Sequence, residues 1–144
     1  MSKISVLIMV KDEADCIGKT IESIKNNVIL YDTGSTDNTI HIVDELCRQY
    51  NIPLYIKEGE FVDFSTSRNI LFDFADEVSG ADYYLLLDAN DELKSELYDL
   101  CNHFKEKDDY AFFLSQEWLI NGSCIIYKNK LVKAEKKIHN LTVI

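Results

Sequence analysis

The sequence predicts an α/β domain: a mostly parallel sheet flanked by helices, with an antiparallel hairpin at the C-terminal end. Three observations carry this. Ile4–Val10, Val28–Tyr31 and Tyr83–Leu87 are short, nearly unbroken apolar runs, the signature of strands buried on both faces. Segments with apolar residues at helical spacing alternate with these runs, so the order reads β-α-β-α-β-α-β-α. Finally, Asn121-Gly122 stands between the runs Trp118-Leu119-Ile120 and Cys124–Tyr127, the strongest short hairpin signal in a sequence.

Each element follows from local chemistry. After the first strand, Asp15 is placed to cap a helix to about Lys25, with Ile17, Ile21 and Ile24 on one stripe. The second run ends at Asp32 and opens a loop of turn and capping residues, Thr33 to Thr39. A helix with Ile40, Val43, Leu46, Cys47 and Tyr50 on one face follows, and Pro53 closes it before a strand at Leu54–Lys57. Glu58–Asp63 reads as a polar, mobile link. Ser65 is the expected N-cap of a helix through Ile70, Leu71, Phe74 and Val78, with Gly80 at its stop. After Tyr83–Leu87 comes a helix from about Leu93 to Phe104, then a strand at Tyr110–Leu114 and the hairpin.

Length and composition bound the function. At 144 residues, with 47% hydrophobic content, the chain is one globular domain. A net charge of −10 argues against nucleic acid as a partner, which a basic face would have to bind. The charge is uneven: residues 1–92 hold 7 Lys/Arg against 18 Asp/Glu, and residues 93–144 hold 8 against 7. The lysines at 128, 130, 133, 136 and 137 read as a solvated face. The four cysteines (Cys16, Cys47, Cys101, Cys124) and three histidines are scattered, so no zinc site is readable and reduced core thiols are expected. Ile4–Val10 runs into Lys11-Asp12-Glu13 with no small-residue cleavage site, and no run approaches the ~20 apolar residues of a membrane span. A cytoplasmic protein is expected.

Three strands end in acids: Val10 before Asp12-Glu13, Tyr31 before Asp32, and Leu87 before Asp88. In a parallel sheet these ends share one edge, where open α/β sheets bind ligands. Asp88, Asn90, Asp91 and Glu92 crowd oxygen donors into five residues, which suits a hard cation, Mg2+ or Mn2+, itself able to hold a diphosphate. An acid after a strand can equally cap the next helix. It is the repetition at three strand ends that favours a site. No glycine-rich phosphate loop follows the first strand. Phosphate must be gripped otherwise, and Arg68, one of two arginines, sits near a helix start where its guanidinium can bind phosphate bidentately.

Four motifs in order, Val10-Lys11-Asp12-Glu13, the octapeptide Asp32–Thr39, Asp63-Phe64-Ser65 with Arg68-Asn69, and Leu87–Asp91, resemble the family-2 glycosyltransferases of the GT-A fold. The likeness covers most of residues 3–100. It implies a Rossmann-like GT-A sheet and transfer of a sugar from a nucleotide-diphosphate donor, commonly UDP-linked, with Mn2+ or Mg2+. Carried across, the first strand's exit (Val10, Lys11, Asp12, Glu13) and Asp32 would border the donor's nucleoside, Gly34 and Ser35 would belong to the same donor-binding set, and Arg68 would reach the diphosphate. Asp88, Ala89 and Asn90 stand at the family's D-x-D, so Asp88 and Asn90 would hold the metal. Asn90 replaces an acid there; an amide oxygen can ligate but brings no charge, which weakens binding unless Asp91 joins. An inverting member also needs a carboxylate base. Glu117 is the one acid beyond Glu92 named for that role, although a helix or strand surface acid explains it better.

The resemblance further implies a donor half at residues 1–92 and the start of an acceptor half at 93–144, the chain being expected to be a portion of a longer polypeptide, with a naturally short member as the alternative. The acceptor, whether glycan, protein or lipid, is unknown. Asn90 and the unmatched base leave open a non-catalytic nucleotide-sugar-binding module. A scaffold domain that uses the fold to hold a partner is a third reading.

Overall fold

The computed structural model describes residues 4–24, 27–81 and 84–92 with their side chains, and residue 83 and the strands at 111–120 and 123–133 as backbone. β1 (Ile4–Val10) is the centre of the sheet: β2 (Val28–Asp32) lies parallel on one side and β4 (Tyr83–Leu87) parallel on the other. β3 (Leu54–Glu58) extends the parallel part beyond β2. β5 (Ala111–Ile120) and β6 (Ser123–Lys133) pair antiparallel with each other, and β6 pairs antiparallel with β4. The described strands therefore run β3-β2-β1-β4-β6-β5. The Asn121-Gly122 turn expected between β5 and β6, and the helix expected near 93–104, lie outside the described residues.

The continuous apolar runs have a simple cause. Alternate residues of a strand face opposite sides, and both sides of this sheet are covered. Ile4, Val6, Ile8 and Val10 of β1 pack with Val28, Leu30, Leu85 and Leu87 under α1 (Ile17–Ile24) and α2 (Thr39–Gln49). Leu7, Ile29, Tyr31 and Tyr84 pack on the other face against Leu71, Phe72 and Ala75 of α3 (Phe64–Val78). The split follows from topology. The chain steps from β1 to β2 to β3 in one direction, then returns past β1 to β4. A constant crossover hand puts the helix of the return step on the opposite face.

Two expectations are corrected. Asp63, not Ser65, caps α3: its carboxylate accepts from the Thr66 N–H at 2.6 Å and the Thr66 hydroxyl at 3.0 Å. Asp63 has the extended backbone a cap needs, while Ser65 is already inside the first turn. The link before it is also more tightly held than a polar, mobile segment. The Gly59 N–H donates to the Asp32 carbonyl, the Tyr31 phenol to the Glu60 carbonyl, and the Val62 N–H to the Ser67 hydroxyl. Gly59 is required there by space, since a Cβ would lie 2.6 Å from the Tyr31 hydroxyl oxygen.

Asp63→Ala is expected to cost about 0.5–2 kcal/mol in chemical denaturation and Ser65→Ala much less, because only Asp63 satisfies an orphan helix N–H. Gly59→Ala should cost about 1–3 kcal/mol by overpacking against Tyr31. An unchanged unfolding midpoint in that variant would remove the contact from the account.

Candidate functional site

The site lies where the order of strands reverses. β1 is flanked by strands whose chains continue in opposite directions across the sheet, the switch point at which open α/β sheets form a crevice. In register, Val10 stands beside Asp32, and Ile8 beside Leu87. The exits of β1, β2 and β4 therefore reach the same edge.

The rim on the β2 side is built by the octapeptide. Asp32 is buried, and its carboxylate accepts from the Gly34 and Ser35 N–H groups at 3.2 and 3.0 Å and from the Ser35 hydroxyl. Gly34 has φ 112°, a left-handed conformation that favours glycine. Ser35 then accepts from the Asp12 N–H at 2.9 Å, tying this loop to the exit of β1. Asp12 has φ 52°, and its carboxylate accepts from the Thr36 and Asp37 N–H groups at 2.7 and 3.3 Å. The Asp37 carboxylate accepts from the Ala14 N–H, and the Thr39 hydroxyl from the Glu13 N–H at 2.9 Å. The Thr39 hydroxyl also donates to Asp37, and this hydrogen bond is the main cause holding the Asp37 carboxyl below its ordinary range. The two loops are one hydrogen-bonded unit. At its root, the Val10 carbonyl accepts from the Thr33 N–H and hydroxyl.

The β4 side carries the charge. Asp88 stands at the surface, yet protein packed on its inner side strips enough water to push its carboxyl above the usual range. The negative charges of Asp91 and Glu13 add to this, and the Arg68 guanidinium opposes it. Glu13, Arg68 and Asp91 thus come within electrostatic reach of Asp88, the four groups belonging to three separate segments: the exit of β1, α3 and the turn after β4. The turn is closed by the Asp88 N–H donating to the Asp91 carboxylate at 3.0 Å and the Asp91 N–H to the Asp88 carbonyl at 3.1 Å. Ala89 is buried between Asp88 and Asn90, which are both exposed.

Among the described residues, no three His, Cys, Asp or Glu side chains form a ready-made metal cluster. The donor set still fits a hard cation. Mg2+ takes one or two carboxylates and completes its shell with water and substrate phosphate. A carboxylate raised first by burial and then by neighbouring negative charge is also one whose charged form an external cation would favour.

The structure thus gathers Val10, Glu13, Asp32, Gly34, Ser35, Arg68, Asp88, Ala89, Asn90 and Asp91 at one edge, with Lys11 exposed on the same loop. Glu117 falls on β5, opposite Ile126, and its side chain lies outside the described residues. Sequence reasoning placed Asp12 among the strand-end acids and Asp37 and Thr39 among the turn and capping residues of the loop; the structure shows the side chains of all three spent on the loop unit. For Asp37 and Thr39 the density of polar residues in the octapeptide Asp32–Thr39 was the available signal; Asp12 lies outside it. Cys16 and Cys47 are free thiols, both pushed up to about 11 chiefly by burial, so neither is a nucleophile at neutral pH.

The sequence profile of glycosyl transferase family 2 matches residues 5–123. The chain belongs to glycosyl transferase family 2. It is 34% identical over 102 residues to an uncharacterized glycosyltransferase of Rickettsia prowazekii, a match covering 69% of this chain and 32% of that protein. It is 31% identical over 121 residues to a TPR repeat-containing protein of Synechococcus elongatus, covering 81% of this chain and 28% of the relative. The chain thus spans about a third of the length of these curated relatives.

Solved structures show the same fold. Staphylococcus aureus TarS 1-349 in complex with UDP-GlcNAc superposes with TM-score 0.68 at 21% identity, covering 85% of this chain and 36% of that one. The mannosyltransferase PcManGT of Pyrobaculum calidifontis, in complex with GDP-Man and Mn2+, gives 0.64 at 16% identity, covering 76% and 34%. The parallel four-stranded sheet flanked by helices is that of the GT-A glycosyltransferases. Among the described residues, no helix is long and apolar enough to cross a membrane.

Asp12 provides the test of the loop unit. Asp12→Ala keeps a left-handed backbone that alanine tolerates poorly and loses the acceptor, an expected cost of about 1–3 kcal/mol. Asp12→Gly should recover the part due to strain, and Asp12→Asn, which keeps an acceptor and tolerates the backbone, most of the rest. Thermal unfolding of the three variants reads this order.

Proposed function

We propose that the chain is the donor-binding part of a glycosyltransferase that moves a sugar from a nucleoside-diphosphate donor, UDP-linked in the first instance, to a glycan, protein or lipid acceptor. The observation that supports the reading is that Arg68 lies within electrostatic reach of Asp88, at the switch point of a family-2 sheet. A cation and a diphosphate complete the charges there. That TarS was solved with UDP-GlcNAc and PcManGT with GDP-Man and Mn2+ supports a nucleotide sugar as the ligand class. Residues 1–92 form the donor half on this reading, and residues from 93 begin the acceptor half.

In the reaction an acceptor oxygen attacks the anomeric carbon, the bond from that carbon to the diphosphate breaks, and a carboxylate takes the acceptor's proton. Displacement in one step inverts the anomeric centre. Arg68 grips the diphosphate and neutralises charge as it leaves. Asp88 and Asn90, with Asp91 beside them, would hold Mn2+ or Mg2+, which supplies Lewis-acid stabilisation of the same leaving group. The loop unit of Asp12, Ser35, Asp37 and Thr39 holds the nucleoside rim in shape. Glu117 is the named candidate for the base.

A non-catalytic donor-binding module is the second reading, and Asn90 favours it by removing one formal charge from the cation site. Donor binding by the full-length protein without turnover or hydrolysis would select it.

Calorimetric titration of UDP, GDP and CDP with Mn2+ and then with EDTA tests the site. Metal-dependent binding of one nucleotide is expected. Asp88→Ala should abolish it, and Arg68→Ala should weaken it by about 1.5–3 kcal/mol, as for a hydrogen bond to a charged group. Unchanged affinity in both variants would remove the assignment.

A further inference from the structure

Thr20 is a polar residue on the apolar face of α1, beside Ile17, Ile21 and Ile24, and it is fully buried. A buried hydroxyl must find a partner, and in a helix the carbonyl one turn back is the nearest. Thr20 donates to the Ala89 carbonyl, at 2.8 Å and 69 positions away in the chain. The Ala89 side chain is itself packed in the core under α1, in the cluster that contains Ile17, Ile21 and Leu87. Ala89 is thus held twice, by its methyl in the core and by its carbonyl on Thr20. Its neighbours Asp88 and Asn90 are exposed on either side.

We propose that Thr20 is a positioning residue for this turn: through the Ala89 carbonyl it fixes where Asp88 and Asn90 present their oxygens, without touching the ligand. The proposal rests on the reading of the turn as the cation and diphosphate site. Two protein donors, one of them neutral, make a weak cation site unless they are held in place beforehand. α1 is a suitable anchor, because Ile17 and Ile21 are fully buried against the sheet. The hydrogen bond ties the turn to that rigid helix rather than to its own flanking strand alone.

The test compares Thr20→Val, which keeps the shape and removes the donor, with Thr20→Ser, which keeps the donor and removes a methyl. Three quantities are read on the 144-residue chain: the thermal midpoint, the UDP-dependent affinity for Mn2+, and the exchange rate of the Asp91 amide hydrogen without ligand. Thr20→Val should melt cooperatively, bind Mn2+ with UDP about 10-fold more weakly and exchange the Asp91 amide faster, with Thr20→Ser within about twofold of the wild type. Wild-type affinity and exchange in Thr20→Val overturn the proposal. Equal losses in both variants would track packing rather than the hydroxyl, and overturn it too. Where Thr20→Val does not fold, Thr20→Ala takes its place in the same comparison. If the wild-type chain binds no UDP with Mn2+, the donor-site reading falls, and the Asp91 exchange rate decides by itself whether Thr20 holds the turn.

Discussion

β1 is hydrogen-bonded along both edges, to β2 and to β4, and covered on both faces by helices. A strand so enclosed favours apolar side chains, since each buried Ile or Leu stabilises by about 1.5–3 kcal/mol and an unpartnered polar group would cost as much; its one polar residue, Ser5, is buried and partnered by the Ser79 hydroxyl. The charged residues around the first, second and fourth strands are therefore displaced to the strand ends. Because the strands are parallel, those ends fall on one edge. The site is a consequence of how the core is closed.

Once at that edge, the polar groups divide into two kinds. Asp12, Asp32, Asp37, Ser35 and Thr39 hydrogen-bond to each other and to the loop backbone, turning two connections into one unit. Asp88, Asn90 and Arg68 are carried on elements braced elsewhere: α3 by its Asp63 cap and the core under it, the Asp88 turn by Ala89 and Thr20. The first kind shapes a rim, and the second leaves charge unbalanced. Burial and neighbouring negative charge raise the Asp88 carboxyl, with one guanidinium opposing them.

The same division explains what could be read early. β1 and β4 have the bounds their apolar runs predict, and β2 and β3 extend one residue past theirs, to Asp32 and Glu58. Asp88 could be read as an acid at a strand end and Arg68 as a guanidinium near a helix start, and the structure brings the two within electrostatic reach at one edge. The cap of α3 was misplaced by two residues because Asp63 and Ser65 are both good caps, and only the backbone conformation selects between them. Asp32 was legible as a strand-end acid, but not as one whose carboxylate is already occupied by its own turn.

By itself the sequence determined the class of sheet, the order of its parallel elements and the edge to which the acids go. These follow from local periodicity and from the rule that parallel strands share their carboxyl ends. The tertiary structure decided which polar residues serve the loops and which remain open to a ligand. It alone brought Thr20 to Ala89, Tyr31 to Gly59 and Asp12 to Thr36. Those contacts join residues distant in sequence through hydroxyls, a carboxylate and one missing side chain. Such partners leave no periodic trace, because a hydrogen bond or a close approach depends on where two backbones meet and not on the pattern of either.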